Sequence, residues 1–300
     1  MRLQDTNKSN AVPPNFLQPS CRQFIAITPR SGSTWWCDLL AHAGLGRPAE
    51  FLNVDGLWRK SRPPITPLIS WAELHQGMAC SSGTDQYDLK ASWCQFMPLL
   101  DPPLETTLAT EGFPTTIWSY LTRRDLPAQA LSLYLMRRVS SAHSRKGQAK
   151  PVFDATWFHP SPANHQALMC WLLHIVQQEY GWEAFFLRHS IKPWRYIYED
   201  IAQHPVLSLR RYLRHADLRG VRRAELTLSP AVCARRATRR SRFVKRDYPT
   251  TASGDLLASF KHRFARQLST IDELRGKEAA ASLMKICAMS RLDRSEMKGL

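Results

Sequence analysis

The chain has 300 residues, 44% of them apolar, and a formal net charge of +16 from 41 basic and 25 acidic side chains. That length fits one α/β domain with insertions as easily as two domains, and no stretch approaches the roughly 20 apolar residues of a membrane span. Seven dispersed cysteines (21, 37, 80, 94, 170, 233 and 287) form no C-x-x-C pair and no zinc-spaced cluster. They argue against a disulfide scaffold or a structural metal, and most are expected to be buried reduced thiols. The basic excess attracts nucleotides, sulfated or phosphorylated glycans, nucleic acid or acidic lipid headgroups, without choosing among them.

Residues 1–20 are polar and broken by prolines, without the apolar run of a signal peptide. They read as a flexible lead-in, with a cytoplasmic location, before a single domain over 21–300. Residues 24–28, FIAIT, are a short apolar run with a β-branched centre, as in a buried strand. Pro29 ends it, and Arg30, Ser31, Gly32, Ser33 and Thr34 form a small polar loop. From Trp35 the apolar residues recur at helical spacing (Trp36, Leu39, Leu40, Ala43) until Gly44 supplies a stop. Strand, glycine turn and helix in that order point backbone N–H groups and a helix N-terminus at one spot, where an anion can bind. The loop is not a Walker A sequence: no Lys follows the glycine, and Arg30 stands two residues before it. An ordinary N-capped strand–helix connection is the plainer alternative.

Residues 51–70 read as loop, 71–76 as a short helix and 87–92, YDLKAS, as a second strand with Lys90 near its end. A third strand is expected over 115–122, TTIWSYLT. It leads into RRDLPAQALSLYLMRR, where Asp125 can cap a helix that carries Pro127 in its first turn. Residues 140–163 are polar and proline-broken, a surface loop or flap. A long helix follows over 164–180, with the aromatic residues 182, 185 and 186 continuing its packing. WRYIY (194–198) is a fourth strand, and Glu199 and Asp200 open the next helix. Strands separated by helices predict an α/β fold of the P-loop type: three layers, α/β/α, around a mostly parallel sheet. Ligands bind beyond the carboxyl ends of such strands, and Arg30, Lys90 and Arg124 all lie near those ends.

Two stretches taken together resemble a known chemistry. TPRSGSTW (28–35) and TRRDLPAQALSLY (122–134), in which Arg124 precedes Ser132 by eight residues, look like the two anion cradles of sulfotransferases. These enzymes use 3′-phosphoadenosine 5′-phosphosulfate (PAPS). More narrowly, RSGST followed by GRPAEF (46–51), DLKASW (88–93), RRD…QALSL (123–133) and YEDI (198–201) resemble the bacterial Stf0 group. Its characterised member sulfates trehalose, and its relatives act on other glycans. The resemblance spans about 21–201 and is loose beyond it.

It implies a sulfotransferase that moves a sulfuryl group from PAPS to a hydroxyl of a carbohydrate or glycolipid by in-line displacement, giving 3′-phosphoadenosine 5′-phosphate, with no metal. On this resemblance Arg30, Ser31, Gly32, Ser33, Thr34 and Trp35 hold the phosphosulfate. Arg124 with Ser132 holds the 3′-phosphate, Arg123 being the rival for that role. Arg30 also stabilises the leaving oxygen, and Glu50, in RPAEF, is the catalytic base; a Glu50–Arg47 salt bridge is the plain alternative. Many relatives carry Lys where Arg30 stands. Trp58, Trp71 and Trp93 are candidate sugar platforms. The Arg-rich run 235–246 closes over the nucleotide, contacts an anionic acceptor, or is a solvated face.

The resemblance further implies a homodimer, no nucleic-acid partner, and access at a membrane surface where the acceptor is lipid-linked. VSSAHSR (139–145) stands where relatives have Q-T-x-x-W, a departure that bears on the acceptor. Two other classes remain. A P-loop-like nucleotide kinase or NTPase predicts a Lys after Gly32 and an acidic metal-holding strand end, and neither is present. A basic binder of nucleic acid or acidic glycans predicts affinity that falls steeply with salt and ignores PAPS.

Overall fold

Side-chain alternation along the first strand sets the layers. In a computed structural model, which describes residues 20–52, 86–97, 116–138, 153–217 and 250–275, β1 spans Ser20–Ile27. It sends Phe24 and Ala26 to one face and Ile25 and Ile27 to the other, and all four are buried. A strand buried on both faces needs helices on both sides. β2 (Gln86–Ser92), β3 (Ile117–Thr122) and β4 (Trp194–Ile197) join it in an all-parallel sheet of order β2-β1-β3-β4. The fold is a P-loop-type α/β/α sandwich. The chain moves outward from β1 to β2 and then returns to β3 on its other side. The carboxyl ends of β1 and β3 therefore flank the topological switch point, where such sheets bind ligands.

One face is covered by α1 (Ser33–His42), by α5 (Tyr198–Gln203) and by α6 (Pro205–Asp217). Trp36, Leu39, Leu40, Ile201, Leu209 and Tyr212 pack there on Ile25, Ile27, Ile117 and Leu121. The opposite face is aromatic. Phe24 stacks on Trp118 with ring centroids 4.4 Å apart, and Trp182 stacks on Phe96 at 5.2 Å. Phe96 ends the one-turn helix α2 (Trp93–Phe96), and Trp182 belongs to α4 (Pro162–Arg188). The fully buried Trp182 indole donates to the Ile27 carbonyl at 2.9 Å, which fixes α4 against the end of β1. A further cluster joins α3 (Leu126–Arg138) and α4 to α7 (Thr250–Arg263) and α8 (Ala265–Arg275) through Leu133, Leu168, Leu172, Phe260 and Ile271.

Several boundaries differ from the sequence reading. α4 is one continuous helix of 27 residues and does not end at Tyr180. Gly181 resembles a stop, but it is there for space: a Cβ would come within 2.3 Å of the Trp93 indole. The third strand begins at Ile117, the fourth ends at Ile197, and part of the expected 140–163 loop is a 3₁₀ turn, Ala155–Phe158. Residues 1–19, Trp58, Trp71, the 139–145 segment and the basic run 235–246 lie outside the described residues.

Candidate active site

The loop after β1 is shaped by two left-handed backbone positions. Arg30 has φ 63° and Gly32 has φ 82°, bracketing the fully buried Ser31. A left-handed conformation costs a side-chain-bearing residue about 1–2 kcal/mol, so the loop holds Arg30 against a local penalty. Gly32 is required twice over, since its Cβ would lie 2.1 Å from Cδ2 of Tyr198. Gly32 is also the N-cap of α1, and no side chain caps that helix. Its first-turn N–H groups thus face the switch point with the positive end of the helix dipole, the arrangement that binds an anion. The Ser31 hydroxyl is buried with no hydrogen-bond partner, a polar atom of the kind an oxygen-rich ligand satisfies.

Gly32→Ala is expected to lower unfolding free energy by about 1–3 kcal/mol, measured by denaturant titration. Adding Tyr198→Ala removes the collision but not the φ penalty, so it restores only part of the loss. A wild-type midpoint for Gly32→Ala contradicts this geometry.

The loop is held from α3. Gln129, completely buried, donates to both the Thr28 hydroxyl (2.8 Å) and the Pro29 carbonyl (2.7 Å). One turn further along α3, Ser132 Oγ accepts from Arg30 Nε at 2.9 Å. The structure therefore brings Arg30 and Ser132 together across 102 residues of chain.

Arg124 is directed elsewhere. Its exposed guanidinium donates to Asp200 Oδ1 at 2.9 Å. Arg123 lies over the Tyr198 ring, 5.0 Å from its centroid, on the residue that touches Gly32. Glu199 accepts from the Arg124 and Asp125 backbone N–H groups at 2.9 and 3.2 Å, and Asp125 Oδ1 accepts from Ala128 N–H, capping α3. Besides opening α5, Glu199 therefore ties the turn after β3 to the end of β4.

Glu50 lies beside β2. A single bridge pairs Ala49 with Leu89, which brings Glu50 next to Lys90, and their charged groups are 2.8 Å apart. Gln95 Nε2 approaches the other carboxylate oxygen at 3.5 Å. Lys90 is thus a partner of Glu50, and the Arg47 backbone N–H donates to Asp88. The Lys90 side chain is 7% exposed, the Glu50 side chain 27%, so the carboxylate is the member that solvent or a ligand can reach. Cys37 is close enough to feel Lys90, Glu50 and Asp88, but burial pushes its thiol up to about 12 and leaves it a poor nucleophile. Cys94, by contrast with the expected buried set, is exposed.

Trp93 is half-buried, its ring centroid 5.3 Å from that of Trp182 and its indole against Gly181, so part of its surface serves packing. Two organising side chains, Gln129 and Tyr198, stand in the QALSL and YEDI motifs but have no site role of their own in the sequence reading. Gln129 carries a further signal: a polar residue on the inward stripe between Leu126 and Leu133. Among the described residues no group of three or more His, Cys, Asp or Glu is placed to hold a metal ion. No helix among them is long and apolar enough to cross a membrane.

Fold and site define a P-loop-type α/β protein whose first helix presents an N-terminus without a side-chain cap, with arginines on both sides of the switch point. Residues 23–247 match the Stf0 sulphotransferase family, and the chain belongs to that family: it is a sulfotransferase. No curated protein matches it.

Proposed function

We propose that this chain transfers a sulfuryl group from PAPS to a hydroxyl of a carbohydrate or glycolipid, with Arg30 and Glu50 as its catalytic residues. The observation that carries the reading is the contact between Arg30 and Ser132 beside the uncapped N-terminus of α1. PAPS has anionic groups at both ends of an adenosine, and this crevice offers cationic and N–H-rich walls on two sides. When bound, PAPS supplies the sulfuryl group and leaves as 3′-phosphoadenosine 5′-phosphate.

The chain's own residues then divide the work. The hydroxyls of Ser31, Ser33 and Thr34 and the N–H groups from Gly32 to Trp35 bind the phosphosulfate end. Arg30, permanently charged, stabilises negative charge as it builds on the leaving side. Ser132 orients the Arg30 guanidinium and, with the turn bearing Arg123 and Arg124, holds the 3′-phosphate. Glu50 accepts the proton of the acceptor hydroxyl, and its ion pair with Lys90 fixes the carboxylate in position.

The test is thermal unfolding with 3′-phosphoadenosine 5′-phosphate, and separately with ATP and magnesium. A ligand at a hundred times its dissociation constant adds about 2.7 kcal/mol, so the first should raise the melting temperature by several degrees. A larger shift from ATP with magnesium favours the kinase or NTPase reading and overturns this one.

A further inference from the structure

The turn at residues 123–125 is gripped from a second direction. α7 and α8 lie C-terminal to the family-matched residues, and each sends one cation to this turn. Arg275, on α8, donates from one terminal nitrogen to the Arg123 carbonyl at 2.8 Å. The same guanidinium holds Glu179 of α4 with two bonds of 2.7 and 2.9 Å. Lys261, on α7, reaches the Asp125 carboxylate at 3.2 Å. Glu199 takes the N–H groups of Arg124 and Asp125 from the opposite side, and Leu126 N–H closes on the Arg124 carbonyl. Backbone groups at both ends of the turn are therefore fixed, and those at the Arg123 end depend on a residue about 150 positions away.

We propose that α7 and α8 form a brace that sets the position of the 123–125 turn, with Arg275 and Lys261 as positioning residues for the 3′-phosphate end of the nucleotide. This rests on the donor assignment above. The Arg275–Glu179 pair is 19% and 9% exposed, so it is held in a medium where unpaired charge is costly. Burial pushes the Glu179 carboxyl upward, and Arg275 opposes that shift. A bidentate guanidinium with a further N–H for a carbonyl suits both partners at once, and a lysine ammonium cannot reproduce that fork.

Arg275→Lys in the full chain separates positioning from general support. Dissociation constants for 3′-phosphoadenosine 5′-phosphate and for AMP, which lacks the 3′-phosphate, are read by calorimetry. Affinity for the first is expected to fall about tenfold while affinity for AMP stays unchanged, since only the 3′ end meets the turn. A lower melting temperature with an unchanged ratio of the two constants assigns Arg275 to stability alone and overturns the proposal.

Where Arg275→Lys does not fold, Glu179→Met with Arg275→Met carries the same comparison, because it replaces the buried pair by packing and still removes the Arg123 contact. Amide exchange of Arg124 and Asp125 in the unliganded chain gives an independent reading. Faster exchange in the variants supports the brace, and unchanged exchange overturns it. A wild-type chain that binds AMP as tightly as 3′-phosphoadenosine 5′-phosphate sinks the donor assignment instead, and the exchange result then decides the brace alone.

Discussion

Arg30→Ala is expected to lower kcat by on the order of 10²–10³-fold while weakening 3′-phosphoadenosine 5′-phosphate binding by about tenfold or less. The larger figure is the usual cost of removing one preorganised electrostatic stabiliser from a transition state. The smaller follows because the α1 N–H groups and the loop hydroxyls, which form the rest of the cradle, are untouched by the change. The left-handed backbone at Arg30 sharpens the expectation. Alanine tolerates φ 63° no better than arginine, so the loop keeps its shape and its strain while losing only the guanidinium. Arg30→Lys restores charge but not the Nε donor to Ser132, and its activity should lie between wild type and alanine. Single-turnover rates with calorimetric affinities separate the two effects. Equal losses in rate and affinity would reduce Arg30 to a binding residue.

Glu50→Gln is expected to cost on the order of 10²–10⁴-fold in turnover, the range for a lost general base, with donor affinity unchanged. Its ion pair with Lys90 supplies a rival explanation that the same experiment resolves. Lys90 is nearly buried, so replacing the carboxylate by an amide leaves its ammonium without a counter-charge and lowers stability. If that were the whole role of Glu50, adding Lys90→Met would return both stability and activity. The base assignment predicts that the double variant recovers its melting temperature and stays inactive. Recovered turnover would make Glu50 a structural counter-ion.

Legibility in the sequence followed the range of the interactions. The run from Phe24 to Ala43 declared a strand, a turn and a helix, because each signal there is local: an apolar run, Pro29, Gly32, and apolar residues at helical spacing. Asp125 and Pro127 marked the start of α3 for the same reason. What stayed hidden depended on sheet order. Arg30 meets Ser132 only because β3 lies beside β1, and Glu50 meets Lys90 only because residue 49 pairs with residue 89. The Glu50–Lys90 pair and the Arg30–Ser132 contact are therefore additions from the fold, beside the Glu50–Arg47 alternative and the Arg124–Ser132 pairing that the resemblance implies. Gly181 shows the same limit from another side: a glycine inside a long helix is accounted for by the Trp93 indole packed on it, which no local signal names. The aromatic residues between β1 and α4 gave the core but not its geometry, since nothing in Trp182 itself names Ile27 as its partner.

The proposed delivery of a sulfuryl group from PAPS to a sugar hydroxyl is tested most directly by transfer of radiolabelled sulfate from PAPS to a panel of disaccharides, glycolipids and lipopolysaccharide sugars. Label covalently bound to at least one carbohydrate is expected, dependent on the protein and reduced on the order of 10²–10³-fold by Arg30→Ala. No labelled product from any of them, together with no thermal shift from 3′-phosphoadenosine 5′-phosphate, would contradict it.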